Sequence, residues 1–219
     1  MNPHHRRHSL FPALVATTLV LATLLIHICP GLPASLQWDR GNTDQTPNPW
    51  QIGWLTGHLV HWSSGHLVWD LGAFVVLSVL CLRLLPGGYV PALLIAAVLI
   101  PLEVRLFQSQ FTTYRGLSGL DSALFGLAVM ALWHQPTASS RWLACTSAAG
   151  FLAKTGFEII TGTTLFVPPE ISLYSPVPSA HLVGFAAGLA GGFIKLPRMD
   201  AGRSPAKRKL PDVSARQPQ

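Results

Sequence analysis

The chain has 219 residues, 49% of them hydrophobic and only 11% charged, with a mean hydropathy of +0.39. A soluble domain carries about a quarter charged residues, so this composition excludes an ordinary water-soluble core and points to several membrane spans. The net charge of +6 does not indicate nucleic acid, because the basic residues gather toward the two ends of the chain and read as topology signals.

Residues 1–9 are polar and basic (His4, His5, Arg6, Arg7, His8), and an apolar run follows from Leu10 to Ile28. At about 19 residues the run has the length of a span, beyond the roughly 7–15 of a signal-peptide core, and is read as a retained first helix. Residues before Cys29 lack the small side chains of a lipidation site. Residues 30–56 form a loop too polar to span and too long for a simple joint, which marks a functional or membrane-surface element. Its Trp38, Trp50 and Trp54 suit a membrane interface.

A second helix is predicted from His58 to Leu85, ended by Pro86-Gly87-Gly88, and a third from Tyr89 to Phe107, interrupted by Pro101. After a short polar connection, a fourth runs from Leu117 to Trp133 and stops at His134-Gln135-Pro136. The fifth covers Arg141 to Ile160, with Lys154 and Glu158 one turn apart, where they form a pair inside the bundle. A proline-rich loop leads to a sixth helix, Ala180 to Ile194, and residues 195–219 are a basic tail expected to be disordered. Cys29, Cys81 and Cys145 show no CxxC spacing and are expected to be packing residues.

The expected fold is thus an all-α membrane protein, a bundle of six transmembrane helices spanning residues 10–194. Arg6, Arg7, Arg83, Arg141 and the basic tail fall on one side, against Arg40, Arg105 and Arg115 on the other. The positive-inside rule then makes both termini cytoplasmic. On this topology Ser118, His181, His58, His61 and His66, far apart in sequence, lie at matching depth near the outer face.

Ser118 sits between Gly116 and Gly119 at the head of the fourth helix. A serine becomes a nucleophile when a base removes its proton, and histidine is the usual base. An open helix start also offers unpaired N–H groups to an oxyanion. The bland alternative is a small-residue seam of Ser118, Gly119, Ser122, Ala123 and Gly126 gluing two helices. His181 opens the sixth helix, and Gly184, Gly188 and Gly192 follow three, seven and eleven residues on, on its side of the helix. That glycine face admits a close neighbour, so the imidazole can reach a side chain on a facing helix. His58, His61, His66 and Asp70 form a third group, with His66 and Asp70 on one helix face. They read as donors toward developing negative charge, or as metal ligands, although HExxH is absent. An aspartyl protease using Asp70 and Asp121 lacks a GxGD-type motif. Asp121 caps or orients the serine site; its role is left open.

Gly116-Leu117-Ser118-Gly119, Ala180-His181 with Gly184 and Gly188, and His61 with His66 together resemble the rhomboid family of intramembrane serine proteases, over about residues 55–192. Gln37-Trp38-Asp39-Arg40 is similar to that family's WR signature. Thr56 to Ser63 and Tyr114 to Phe125 are more narrowly similar to the rhombosortase branch, associated with proteins carrying a C-terminal GlyGly-CTERM sorting helix. The resemblance implies a Ser118–His181 dyad with no third acid and no cofactor or metal. It implies an oxyanion held by His66 and the Ser118 backbone N–H, with Gly116, His61 and Asp70 in support. It further implies residence in a bacterial inner membrane, a periplasmic first loop (30–56), and cleavage of single-pass transmembrane substrates near the outer face. Partners are therefore such a substrate and the lipid bilayer, and no nucleic acid; the oligomeric state is not specified, nor whether the acyl group passes to water or an amine.

One position departs from the family. Rhomboids commonly place asparagine four residues after the histidine, where this chain has Asp70. The carboxylate either is protonated by burial or holds His66 in one tautomer. The departure keeps a second expectation open, a catalytically impaired rhomboid-like protein that binds transmembrane segments for sorting or quality control.

Overall fold

The computed structural model describes residues 3–41, 52–165 and 177–194, with side chains from residue 10 onward. Trp50, most of the proline-rich loop and the basic tail, and hence its expected disorder, lie outside the described residues.

Among the described residues the chain is mostly helical, with two short strands. Helix α1 runs Pro3–Ile28, and the first loop contains α2 (Leu32–Leu36), strand β1 (Trp38–Asp39) and α3 (Gly53–Thr56). A 3-10 turn, Gly57–Leu59, leads toward α4 (Ser64–Leu84), followed by α5 (Pro86–Phe107) and β2 (Thr113–Tyr114). The chain closes with α6 (Ser118–Trp133), α7 (Ala138–Thr161) and α8 (Pro178–Phe193). Leu10–Ile28 of α1, α4 and α5 are each long and apolar enough to cross a membrane. This is an all-α membrane protein. Helices α6 and α8, at 16 residues each, rise only about 24 Å, short of a hydrocarbon core of about 30 Å. Helix α7 is long enough, but Arg141, Lys154 and Glu158 interrupt it.

Capping explains where the helix starts differ from expectation. Helix α4 begins at Ser64 and not His58, because the Ser63 hydroxyl accepts the His66 N–H at 3.2 Å. Thr137 caps α7 in the same way through the Ser140 N–H, moving its start back from Arg141 to Ala138. Pro86 occupies the first turn of α5, where its missing N–H costs nothing, so Pro86-Gly87-Gly88 opens a helix as well as ending one.

Helix α6 is the axis. Twelve of its 16 residues are buried, as befits a helix apolar on every side. Helix α8 lies directly against it. A Cβ at Gly184 would collide with the Gly119 carbonyl oxygen, and one at Gly188 with that of Ala123. Only glycine permits the two backbones to approach so closely. The predicted glycine face of α8 is therefore a packing face, and the small-residue seam on α6 is its counterpart. The small-residue reading of the serine motif holds: Gly119 and Ala123 form the seam, and Ser118 lies at its end, half-buried.

The first loop is tied to the segment that leads into α6. Trp38 pairs with Tyr114 and Asp39 with Thr113 in an antiparallel ladder, an interaction the sequence pattern does not announce. Trp38 is fully buried. The Arg40 guanidinium donates to the carbonyls of Val104, Arg105, Gln108 and Phe111 at 2.8–3.1 Å, closing the C-terminal end of α5 and the turn after it. The Trp–Arg pair thus has a structural role in holding the loop.

The three cysteines are free. Cys81 packs inside with its Sγ 3.2 Å from the Leu124 carbonyl, whereas Cys145 is exposed, so the packing expectation holds for the first and not the second.

Candidate active site

A cavity of about 930 Å³ opens between α4, α6, α7 and α8. Ser118, His181, His66 and Asp70 all line it, together with Lys154 and Glu158. Residues separated by more than a hundred positions are thereby brought to one compartment. Ser118 arrives there because α6 starts at it, with no side-chain cap, leaving the first-turn N–H groups without intrahelical partners. His181 arrives because α8 starts at Pro178 and its glycine face presses the first turn against α6. Ser118 and His181 are not hydrogen-bonded to each other among the described residues; the Ser122 hydroxyl donates to the Ser118 carbonyl at 2.8 Å.

The histidine–aspartate group is a compact cluster on the α4 side. Asp70 Oδ2 lies 3.2 Å from Nε2 of both His61 and His66, and the two rings meet edge to face at 5.1 Å between centroids. His61 does not line the cavity. It stands behind, with Nδ1 3.3 Å from the Leu59 carbonyl and Nε2 3.4 Å from the Leu117 N–H, just before the serine. Gly116 also stands behind the wall. Its φ of 123° is a conformation that side chains avoid, and a Cβ there would lie 3.0 Å from His66 Cε1 and 3.3 Å from Asp70 Oδ2. Among the described residues no three His, Cys, Asp or Glu side chains converge as a metal-ligand set.

His58, grouped with these by sequence, belongs elsewhere. Its Nε2–H donates to the Ala97 carbonyl at 3.2 Å. That carbonyl lies four residues before Pro101, which has no N–H to return to it. Full burial pushes the His58 imidazole down to about 4, which keeps it neutral and able to fill this gap in α5. Tyr114, edge-on to His58 at 5.3 Å, is likewise buried, and burial pushes its phenol up.

Asp121 lines the cavity next to Ser122, and its Oδ1 has no hydrogen-bond partner among the described residues. Lys154 and Glu158 pair as expected, Nζ to Oε2 at 2.8 Å, but Glu158 also faces His181, Oε2 to Nδ1 at 3.6 Å. No periodicity links positions on two helices, so this contact has no sequence signal. The same holds for the stack of Phe125, Phe151 and Phe185, with Phe151 and Phe185 at 4.6 Å, which joins α6, α7 and α8 beside the cavity. At the rim, Arg115 lies over the Trp62 ring at 4.2 Å and bonds Gln37.

No protein-family model matches the chain, and no curated protein matches it. Fold and site define a class on their own terms: a helical membrane protein with an open, largely apolar cavity whose wall carries a hydroxyl, two imidazoles and carboxylates.

Proposed function

We propose that the chain is a rhomboid-like intramembrane serine endopeptidase, with Ser118 as nucleophile and His181 as base. The observation that carries this reading is that two residues far apart in sequence line one cavity in an apolar bundle, where polar side chains mark function. In the proposed cycle Ser118 Oγ attacks the carbonyl carbon of the scissile peptide bond while its proton passes to His181. The tetrahedral oxyanion is held by the Ser118 N–H, with His66 beside it. The C–N bond then breaks, His181 returns the proton to the leaving amine, and an ester to Ser118 remains. Water or an amine attacks that ester, gives its proton to His181, and restores the serine hydroxyl.

In this proposal α1, α4, α5, α6, α7 and α8 are six spans, with both termini cytoplasmic in a bacterial inner membrane. The site opens toward the periplasm, and the substrate is a single-pass protein, of the GlyGly-CTERM kind that the rhombosortase resemblance suggests. Ser118→Ala and His181→Ala are each expected to abolish processing of a tagged GlyGly-helix substrate without lowering expression. Cleavage that persists in either variant refutes the protease.

A second reading rests on Asp70. Its one oxygen faces both histidines and brings negative charge to the place where an oxyanion would form. That favours an impaired relative that binds transmembrane segments. Serine-directed fluorophosphonate labelling in membranes separates the two, since the binder leaves Ser118 unlabelled.

A further inference from the structure

We infer that Glu158 is a positioning residue for His181, so that the site works as a serine–histidine–glutamate set and not as a bare dyad. The inference deepens the protease reading and rests on it.

The geometry has three parts. His181 Nδ1 lies 3.6 Å from Glu158 Oε2, and that nitrogen has no hydrogen-bond partner among the described residues. The Glu158 side chain is only 2% exposed, although α7 fully buries just Ala144, Thr155 and Glu158. The carboxylate is held from both ends, with Lys154 Nζ 2.8 Å from Oε2 and the Leu165 N–H 3.5 Å from Oε1. A pair serving only α7 would keep both partners at the surface. Here the lysine side chain is 23% exposed and the acid is the buried member, turned into the cavity that Ser118 lines.

The chemistry follows from the two nitrogens of an imidazole. To accept the Ser118 proton on Nε2, His181 must carry its resting proton on Nδ1. A carboxylate facing Nδ1 selects that tautomer, fixes the ring, and stabilises the imidazolium that forms as the serine attacks. Lys154 in turn orients the carboxylate. Asp121 on α6, His66 and Asp70 on α4, and Tyr114 and Arg115 just before α6 are the other titratable groups on the cavity wall.

The test uses the full chain in detergent. It measures the rate of Ser118 labelling by a fluorophosphonate, kcat and KM for a tagged GlyGly-helix substrate, and Tm. Glu158→Gln keeps the shape and removes the charge. It is expected to lower kcat and labelling at least about tenfold, with KM and Tm unchanged. Lys154→Met, which leaves the carboxylate in place, is expected to lose less. Should Glu158→Gln not fold, Glu158→Asp decides: retreat by one methylene lowers kcat severalfold at unchanged KM and Tm, and wild-type kcat overturns the assignment. Glu158→Gln within about twofold of wild type, or a loss that merely follows Tm and is matched by Lys154→Met, reduces the contact to a latch between α7 and α8. If Ser118→Ala abolishes cleavage while Glu158→Gln does not, only the positioning role falls. A wild-type protein unlabelled at Ser118 removes the protease and this inference together.

Discussion

Asp70 holds two imidazoles on one oxygen, and an asparagine carbonyl oxygen in its place could face both but without the charge. Asp70→Asn therefore weakens both contacts by removing the charge and is expected to cost about 1–3 kcal/mol of stability. It also removes a negative charge beside the proposed oxyanion site. Fluorophosphonate labelling per folded molecule should rise, and a fall would show the carboxylate to be required there. His58 gives a pH dependence of a different origin. Its imidazole stands at about 4 in the folded chain against an ordinary 6.5, so the unfolded chain takes up a proton first as pH falls. This contribution to stability is full above about pH 6.5 and is lost as pH drops toward about 4. Tm measured across that window should decline. His58→Phe should lower Tm near pH 7, because the Ala97 carbonyl beside Pro101 loses its donor, and flatten the decline.

At the scale of elements, the contact of α6 with α8 decides whether a site exists at all. A Cβ on Gly188 meets the Ala123 carbonyl, and backbone cannot move aside as a flexible side chain can. Gly188→Ala should push the helices apart, cost more than about 3 kcal/mol, and carry His181 away from Ser118. Gly150, on the outward side of α7, has nothing within 4 Å of its would-be Cβ. Gly150→Ala should stay within about 1 kcal/mol of wild type. Thermal melts of the two variants in detergent compare them directly, and equal behaviour would contradict the packing described. The glycine spacing on α8 made this face readable from the chain alone. What it left undecided was which helix fills the groove, because a period describes one surface and not its partner.

For the whole molecule, the distribution of Lys and Arg places both termini on the cytoplasmic side under the proposed topology. A C-terminal fluorescent-protein fusion should fluoresce, and alkaline phosphatase fused after Leu36 in the first loop should be active. The reverse pattern would turn the cavity toward the cytoplasm and sink the proposed action on exported proteins. The bundle combines three span-length helices with a short axial helix wrapped by the others. Embedded between neighbours, α6 has little lipid to match, which is why its 16 residues suffice.

Composition determined by itself that this is a helical membrane protein. Turn chemistry placed the long helices closely except at the starts of α1 and α4, which lie at Pro3 and Ser64 and not at Leu10 and His58. The motifs Gly116 to Gly119 and Ala180 to Gly188 singled out Ser118 and His181, which line one cavity. Only the tertiary structure decided what those residues meet. It separated His58 from the cluster of His61, His66 and Asp70, stood Gly116 behind the wall, and set Glu158 against His181. The reason is physical: hydropathy and periodicity are properties of one segment at a time, whereas a site is made of contacts between segments, fixed by how closely backbones can pack.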